Sequence, residues 1–150
     1  MEIKGLAELT AAFAKQPEIA AKHINKAIKR SIIALQAAAI EHVPVDTGTL
    51  VGRLDPSFKN MAGALKANTD YAIYVHEGTK PHWPPYSDPN RGVGLWAKRH
   101  GIAAFLVARG IARHGTKPHP FFQQAIDEKK DELDANFAAA LENITNNLAE

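Results

Sequence analysis

Five residues occur twice in this chain, as Gly78-Thr79-Lys80-Pro81-His82 and again as Gly115-Thr116-Lys117-Pro118-His119. An aromatic, apolar run, Tyr71 to His76, arrives at the first copy, and Pro120-Phe121-Phe122 with a long helical pattern leaves the second. The two copies therefore bracket an insert, residues 80 to 115, within what reads as a single domain, 1–150, and they read as its hinges. Within the incoming run Tyr71, Ile73 and Val75 alternate as in a strand, whereas Tyr71, Tyr74 and Val75 share a helical face. The reading favours helix, ended by Gly78, where a glycine can take the backbone into a left-handed turn.

Charge separates the insert from its surroundings. From Gly78 to Pro120 there are seven basic residues, Lys80, Arg91, Lys98, Arg99, Arg109, Arg113 and Lys117, against the single acid Asp88, or +6. The whole chain carries only +2, so the rest sums to −4. A basic segment on an acidic body points to nucleic acid, to an acidic protein surface, or to another copy of the same chain. With 150 residues and 45% apolar content the chain is long and apolar enough for a real core, and no apolar stretch approaches membrane-span length. It has no cysteine, which excludes disulfides and thiolate chemistry. Met1-Glu2-Ile3-Lys4 lacks the apolar stretch of a signal peptide, so no export is suggested and an intracellular site of synthesis is expected.

In chain order, Ile3, Leu6, Leu9 and Phe13 recur at helical spacing, and Pro17 should stop or kink that helix. A longer amphipathic helix follows over 18–41, with Ile24, Ile28, Ile32, Leu35 and Ala39 in one stripe. Pro44 and Asp46-Thr47-Gly48 end it, and Asp46 or Thr47 can cap a short turn through Arg53. Residues 56–70 read as a hairpin with turns at 60–63 and 68–70. The insert opens on the aromatic, proline-rich loop Trp83 to Tyr86, then carries two helices, 93–100 and 103–114, each closed by Arg-His-Gly. Leu95, Trp96, Phe105, Leu106 and Ile111 supply the apolar faces expected to hold that pair together or to the body, with Trp96 in the core. Ile126, Leu133, Phe137, Leu141, Ile144 and Leu148 mark a long last helix whose first half has an acidic outer face, Asp127, Glu128, Asp131, Glu132 and Asp134. It is longer than a small domain needs, so part of its stripe can pack on a neighbouring subunit. The fold class is α+β: long N- and C-terminal helices packed on a small antiparallel sheet, with an inserted helical pair.

Candidate chemistry is sparse. Asp46-Thr47-Gly48 is the aspartic-protease signature, and a dimeric protease using Asp46 is the enzymatic alternative, but here the aspartate follows a helix and a proline instead of a strand. His76, Glu77, His82, His114 and His119 gather near the repeats without the spacing of a zinc site. No serine lies in a nucleophile elbow or triad-like context. The insert helices could be read as a helix-turn-helix, yet the second begins on apolar residues where a recognition helix presents polar ones. No catalytic residue, metal or cofactor is expected.

Three stretches, Val43 to Leu50, Tyr71 to Thr79 and Pro118 to Ala125, resemble the ordered motifs of a tailed-phage neck or tail-completion family, often labelled tail component. The resemblance implies a non-enzymatic virion protein, made in the host bacterial cytoplasm and placed at the head-tail junction of a phage or prophage. It would form a homo-oligomeric ring around the DNA channel and touch other tail or connector proteins, with no membrane contact. Carried over by position, Asp46, Thr47, Gly48 and Leu50 form a structural turn, Tyr71, Glu77, Gly78 and Thr79 the centre of the motif, and Pro120 and Phe121 the anchor of the last helix. Thr49 departs from the usual Arg, and the 36 residues between Thr79 and Thr116 exceed the compact pattern. Lys98, Arg99, Arg109, Arg113, Lys117, Trp83 and Tyr86 are the expected partner surface, meeting the acidic last helix of the next copy; duplex DNA is the alternative partner.

Overall fold

The computed structural model describes the backbone of residues 6–149 and the side chains of 16–147. The chain folds as two compact units, one ending at Asn68 and resuming at Phe122, the other spanning Thr69–Phe121. The first holds α1 (Leu6–His42), a short 3-10 turn (Val51–Arg53), β1 (Leu54–Lys59), β2 (Ala62–Ala67) and nearly all of α5 (Phe121–Ala149). The second holds α2 (Ala72–Glu77), α3 (Gly92–Arg99) and α4 (Ala104–His114). Long terminal helices on a two-stranded antiparallel sheet, with a helical pair between residues 80 and 115, make the α+β architecture expected from the sequence. The side chains of Ile3, Leu6, Leu9, Phe13 and Leu148, assigned to apolar stripes, lie outside the described ones.

Pro17 does not end the first helix. α1 runs through it for 37 residues, eleven of them alanine, the best helix former. A proline removes one i→i−4 bond, at about 3 kcal/mol, and here that loss is confined to one turn of a long cooperative helix. The stripe from Ile24 to Ala39 receives the hairpin. A Cβ on Gly63 would stand 2.6 Å from Ile28 Cγ2 and 2.9 Å from Ile32 Cγ1, so β2 lies flush on the helix because it is bare there. Asn25 holds the tip: its Nδ2 donates to Asn60 Oδ1 at 3.0 Å and its Oδ1 accepts the Met61 N–H at 2.6 Å. That clamp accompanies a left-handed φ of 54° at Met61, unusual for a residue with a side chain. At the other end Gln36 Nε2 donates to the Leu54 carbonyl at 2.8 Å. A two-stranded hairpin alone is marginal in water, and α1 makes this one part of a core.

The 3-10 turn forms where a short turn was expected, but Asp46 and Thr47 do not cap it; its N-cap is Leu50, with no side-chain bond. Thr47 Oγ1 instead lies 2.7 Å from Thr49 Oγ1 and accepts the Thr49 N–H at 3.3 Å, a local turn that offers the backbone an alternative to capping. Gly48 supplies a φ of 74°, and Leu50 and Leu54 are buried beyond it.

On α5 the buried positions are Phe121, Ala125 and Ala140, and Asn136 Nδ2 donates to the buried Ser31 of α1 at 3.4 Å. Of the large residues of the sequence stripe Leu133 and Ile144 are half-buried, whereas Ile126, Phe137 and Leu141 are exposed, Phe137 to 46% and Leu141 to 66%.

In the second unit the repeats pair with each other. Thr79 and Thr116 form an antiparallel bridge, each N–H donating to the other's carbonyl at 3.3 and 3.1 Å, with their hydroxyls 3.1 Å apart. Gly78 and Gly115, just before them, both have φ of 71°. A Cβ on Gly115 would lie 1.9 Å from the Thr79 carbonyl oxygen, and one on Gly78 2.4 Å from that of Thr116. Below the bridge the His119 N–H donates to the Val75 carbonyl at 2.9 Å, and Phe121, fully buried, meets the edge of the His76 ring at 5.1 Å. Both tryptophans, Trp83 and Trp96, lie in this unit. Urea unfolding followed by tryptophan fluorescence should therefore report Gly115→Ala as a loss of about 2 kcal/mol or more, from strain and clash together. Gly110→Ala, in α4 with nothing within 4 Å, should gain about 0.5 to 1 kcal/mol instead. Equal effects at the two positions would mean that the close backbone approach at the bridge does not constrain the unit.

Candidate interaction surface

Of the large apolar residues expected to hold α3 and α4 together or to the body, Leu95 and Ile111 are half-buried and Trp96, Phe105 and Leu106 are exposed; the fully enclosed positions are small. Ala97 and Ala108 are fully buried and Gly94 is buried, whereas Phe105 is 48% and Leu106 58% exposed. Large side chains would hold the helices apart; small ones let the loop and both helices close on one another. A Cβ on Gly94 would stand 2.0 Å from the Asp88 carbonyl oxygen and 2.8 Å from that of Tyr86, so the proline-rich loop lies directly on the start of α3. Pro84 is buried, and the His82 N–H donates to the Ile111 carbonyl at 3.4 Å, fixing the loop to α4.

This seating assembles an aromatic triangle. Trp83, Tyr86 and Phe105 have ring centroids 6.1 to 6.5 Å apart, in tilted, stacked and edge-on pairs, all within the range of aromatic attraction. Trp83 is 60% exposed, so the cluster presents a ring to solvent. Trp96, expected in the core, is partly exposed and stacks on His100 at 4.1 Å. Sequence reasoning placed Trp83 and Tyr86 on this surface but missed Phe105 and Leu106. The one available signal was that both open a helix whose next exposed positions are basic.

Arg109 lies four residues after Phe105 and three after Leu106, Arg113 four after Arg109, and all four are exposed, so they share the outward side of α4. Among the described residues no acidic side chain pairs with Arg109 or Arg113. Lys98 and Arg99 occupy the last turn of α3, and Lys117 follows the bridge; all are exposed. Of the family-like positions, Gly78 and Thr79 build the bridge, Pro120 precedes the buried Phe121, and Tyr71 and Glu77 are exposed at the ends of α2. Asp46 lies in the turn after α1, with no strand leading into it. Pairing of the repeats brings their two strands together, yet among the described residues no three His, Asp or Glu side chains gather closely enough to hold a metal. No helix among them is long and apolar enough to cross a membrane.

The first unit offers a complementary surface. Ile32, Leu35, Leu65, Phe122 and Ile126 line an open apolar groove of about 310 Å³ between α1, β2 and the start of α5. Acidic residues follow along α5. Glu128 is held below the usual carboxylate range, first by its hydrogen bond with His42 Nε2 at 2.9 Å and then by Lys129 Nζ at 3.2 Å. A depressed carboxyl contributes stability that is present above its unfolded pKa and lost as pH falls through the folded one. An NMR titration should place the Glu128 midpoint below 4.5, the ordinary value of a glutamate carboxyl. The melting-temperature gap between the native protein and Glu128→Gln should close as pH falls through that acid range; a gap that persists unchanged would show that the α1 to α5 clasp adds nothing.

No family model, no curated protein and no solved structure matches the chain.

Proposed function

We propose that the chain is a non-enzymatic structural subunit of a tailed-phage or prophage virion, completing the tail at the head-tail junction through a self-associated ring and contacts with neighbouring tail or connector proteins. The order of the three family-like motifs supplies the class. One observation carries the mode of action: a unit closed by its own backbone bridge presents Trp83, Phe105 and Leu106 beside Arg109 and Arg113, apolar and charged groups left exposed together. Contiguous exposed apolar surface on a rigid support is what protein contacts use. Nothing in this role requires a cofactor. Arg109 and Arg113, without acidic partners among the described residues, also favour a second reading, contact with DNA in the channel.

Sedimentation of the purified chain at rising concentration should reveal a discrete multimer, and deletion of its gene in the encoding phage should leave heads and tails unjoined. A monomer at every concentration, together with normal particles from the deletion, would end the proposal. For the second reading, a mobility shift on arbitrary duplex should appear at low salt and vanish as salt rises; no shift at low salt removes it.

A further inference from the structure

We infer that the cleft between α1 and α5, at the end away from His42, binds a small oxyanion of the phosphate class through His23, Lys26 and Arg30 of α1 and the amides of Asn136 and Asn143 of α5. The site lies wholly in the first unit, apart from the α4 surface, and is independent of the self-association reading. Glu128 meets His42 and Asn136 meets Ser31, so the two helices run antiparallel, and continuing that register brings Asn143 opposite His23. His23, Lys26, Ala27 and Arg30 recur at i, i+3, i+4 and i+7, as do Asn136, Ala139, Ala140 and Asn143, so each set occupies one face and the two faces meet across the cleft. The short side chains of Ala27, Ala139 and Ala140 leave a hollow of about 60 Å³ between them. At the ~10–15 Å³ that one water needs, a hollow of that size has room for about four to six heavy atoms, the size of a phosphate ion.

The charges around the hollow are unbalanced. Lys26 and Arg30 are a like-charged i, i+4 pair, which destabilises a helix, and among the described residues neither they nor His23 has an acidic partner. No carboxylate lines the hollow among the described residues; Glu142, next to Asn143, is turned about 100° from it around α5. At their other end the same two helices are closed by a carboxylate, Glu128 against His42. Here α5 presents carboxamides in that place. Asn143 Nδ2 donates to the Ala139 carbonyl at 2.5 Å and Asn136 Nδ2 to Ser31 Oγ at 3.4 Å, and each amide keeps a second N–H for an acceptor. Amide donors beside a guanidinium and an ammonium suit an anion with several acceptor oxygens and repel a metal ion. Two fixed cations favour a multiply charged oxyanion over a carboxylate.

The test is titration of the full chain with inorganic phosphate, at an ionic strength held constant with chloride, read by the side-chain amide signals of Asn136 and Asn143 in NMR and by melting temperature. Both signals should shift saturably and together, and the melting temperature should rise with them, because a ligand that binds only the folded state stabilises it. Lys26→Gln with Arg30→Gln should weaken phosphate about tenfold or more, with circular dichroism showing the helices retained. Lys22→Gln with Lys29→Gln removes the same charge from exposed positions on the adjoining sides of α1. That pair should change affinity by less than about threefold, since screened charges outside the hollow act weakly. Glycerol phosphate, run in parallel, separates two sources of such a group: weaker binding than the free ion assigns the site to the ion, and equal or tighter binding assigns it to the end of a phosphate ester. Shifts that never saturate, that chloride reproduces, or that weaken equally in both double variants would overturn the site.

Discussion

The bridge between Thr79 and Thr116 is the constraint on which the second unit depends. It joins residues 37 positions apart, and closing a loop of that length costs about 3 kcal/mol in chain entropy. Two backbone hydrogen bonds and one hydroxyl contact return about 3 kcal/mol together, at a net value near 1 each. The bridge thus roughly cancels its own closure, and the packing of Phe121 on His76 and of small residues between α3 and α4 must hold the unit shut. Because each threonine both donates to and accepts from the other, the two sides face the same demands. Each side needs a left-handed residue without a Cβ, then a residue whose hydroxyl can meet its twin. That reciprocity is the physical reason for the same letters to recur at both ends.

The interior of the protein is built from small side chains. Alanines dominate the buried set, and Phe121 is the largest side chain fully enclosed among the described residues. Burying a methyl group yields under about 1 kcal/mol, whereas a Phe or Leu taken fully from water yields about 1.5 to 3. The chain leaves much of that larger gain unused at Phe105, Leu106, Phe137 and Leu141, each about half exposed or more. Unused apolar surface of this kind becomes favourable free energy when another surface covers it, so association offers more than further rearrangement within an alanine-packed interior.

Periodicity made the helices legible, and the repeated pentapeptide made the insert legible, because both are patterns local to the chain. Partners across the fold were not. The stripe Ile126, Leu133, Phe137, Leu141 marks a helix correctly and Leu133 is half-buried, but Ile126, Phe137 and Leu141 are exposed while α5 buries Phe121, Ala125 and Ala140: hydrophobic weight identifies a face without saying which neighbour lies close enough to cover it. The same reading of size as burial gave Phe105 and Leu106 an inward role, whereas Ala97 and Ala108 are the enclosed residues of α3 and α4. Pro17, expected to stop or kink the first helix, does not stop it, because a proline's local cost is set against the cooperativity of the alanine-rich turns around it. Asp46 and Thr47 looked like caps because capping residues and turn residues are the same residues, and only the backbone path decides between the two uses. The groove was invisible because its lining comes from three elements distant in sequence.

The basic residues of the second unit admit either a nucleic acid or a protein partner, and charge alone does not separate them. What accompanies the charge does. A contact with duplex phosphates uses cations along a polar face, and its strength falls steeply with salt because counterions are released. On α4 the cations follow two exposed apolar side chains, one of them stacked at 6.2 Å on Trp83. Duplex backbone offers no apolar surface to cover Phe105 and Leu106, so their exposure would remain uncompensated in such a complex. A protein surface that is apolar at one end and acidic beyond it compensates both.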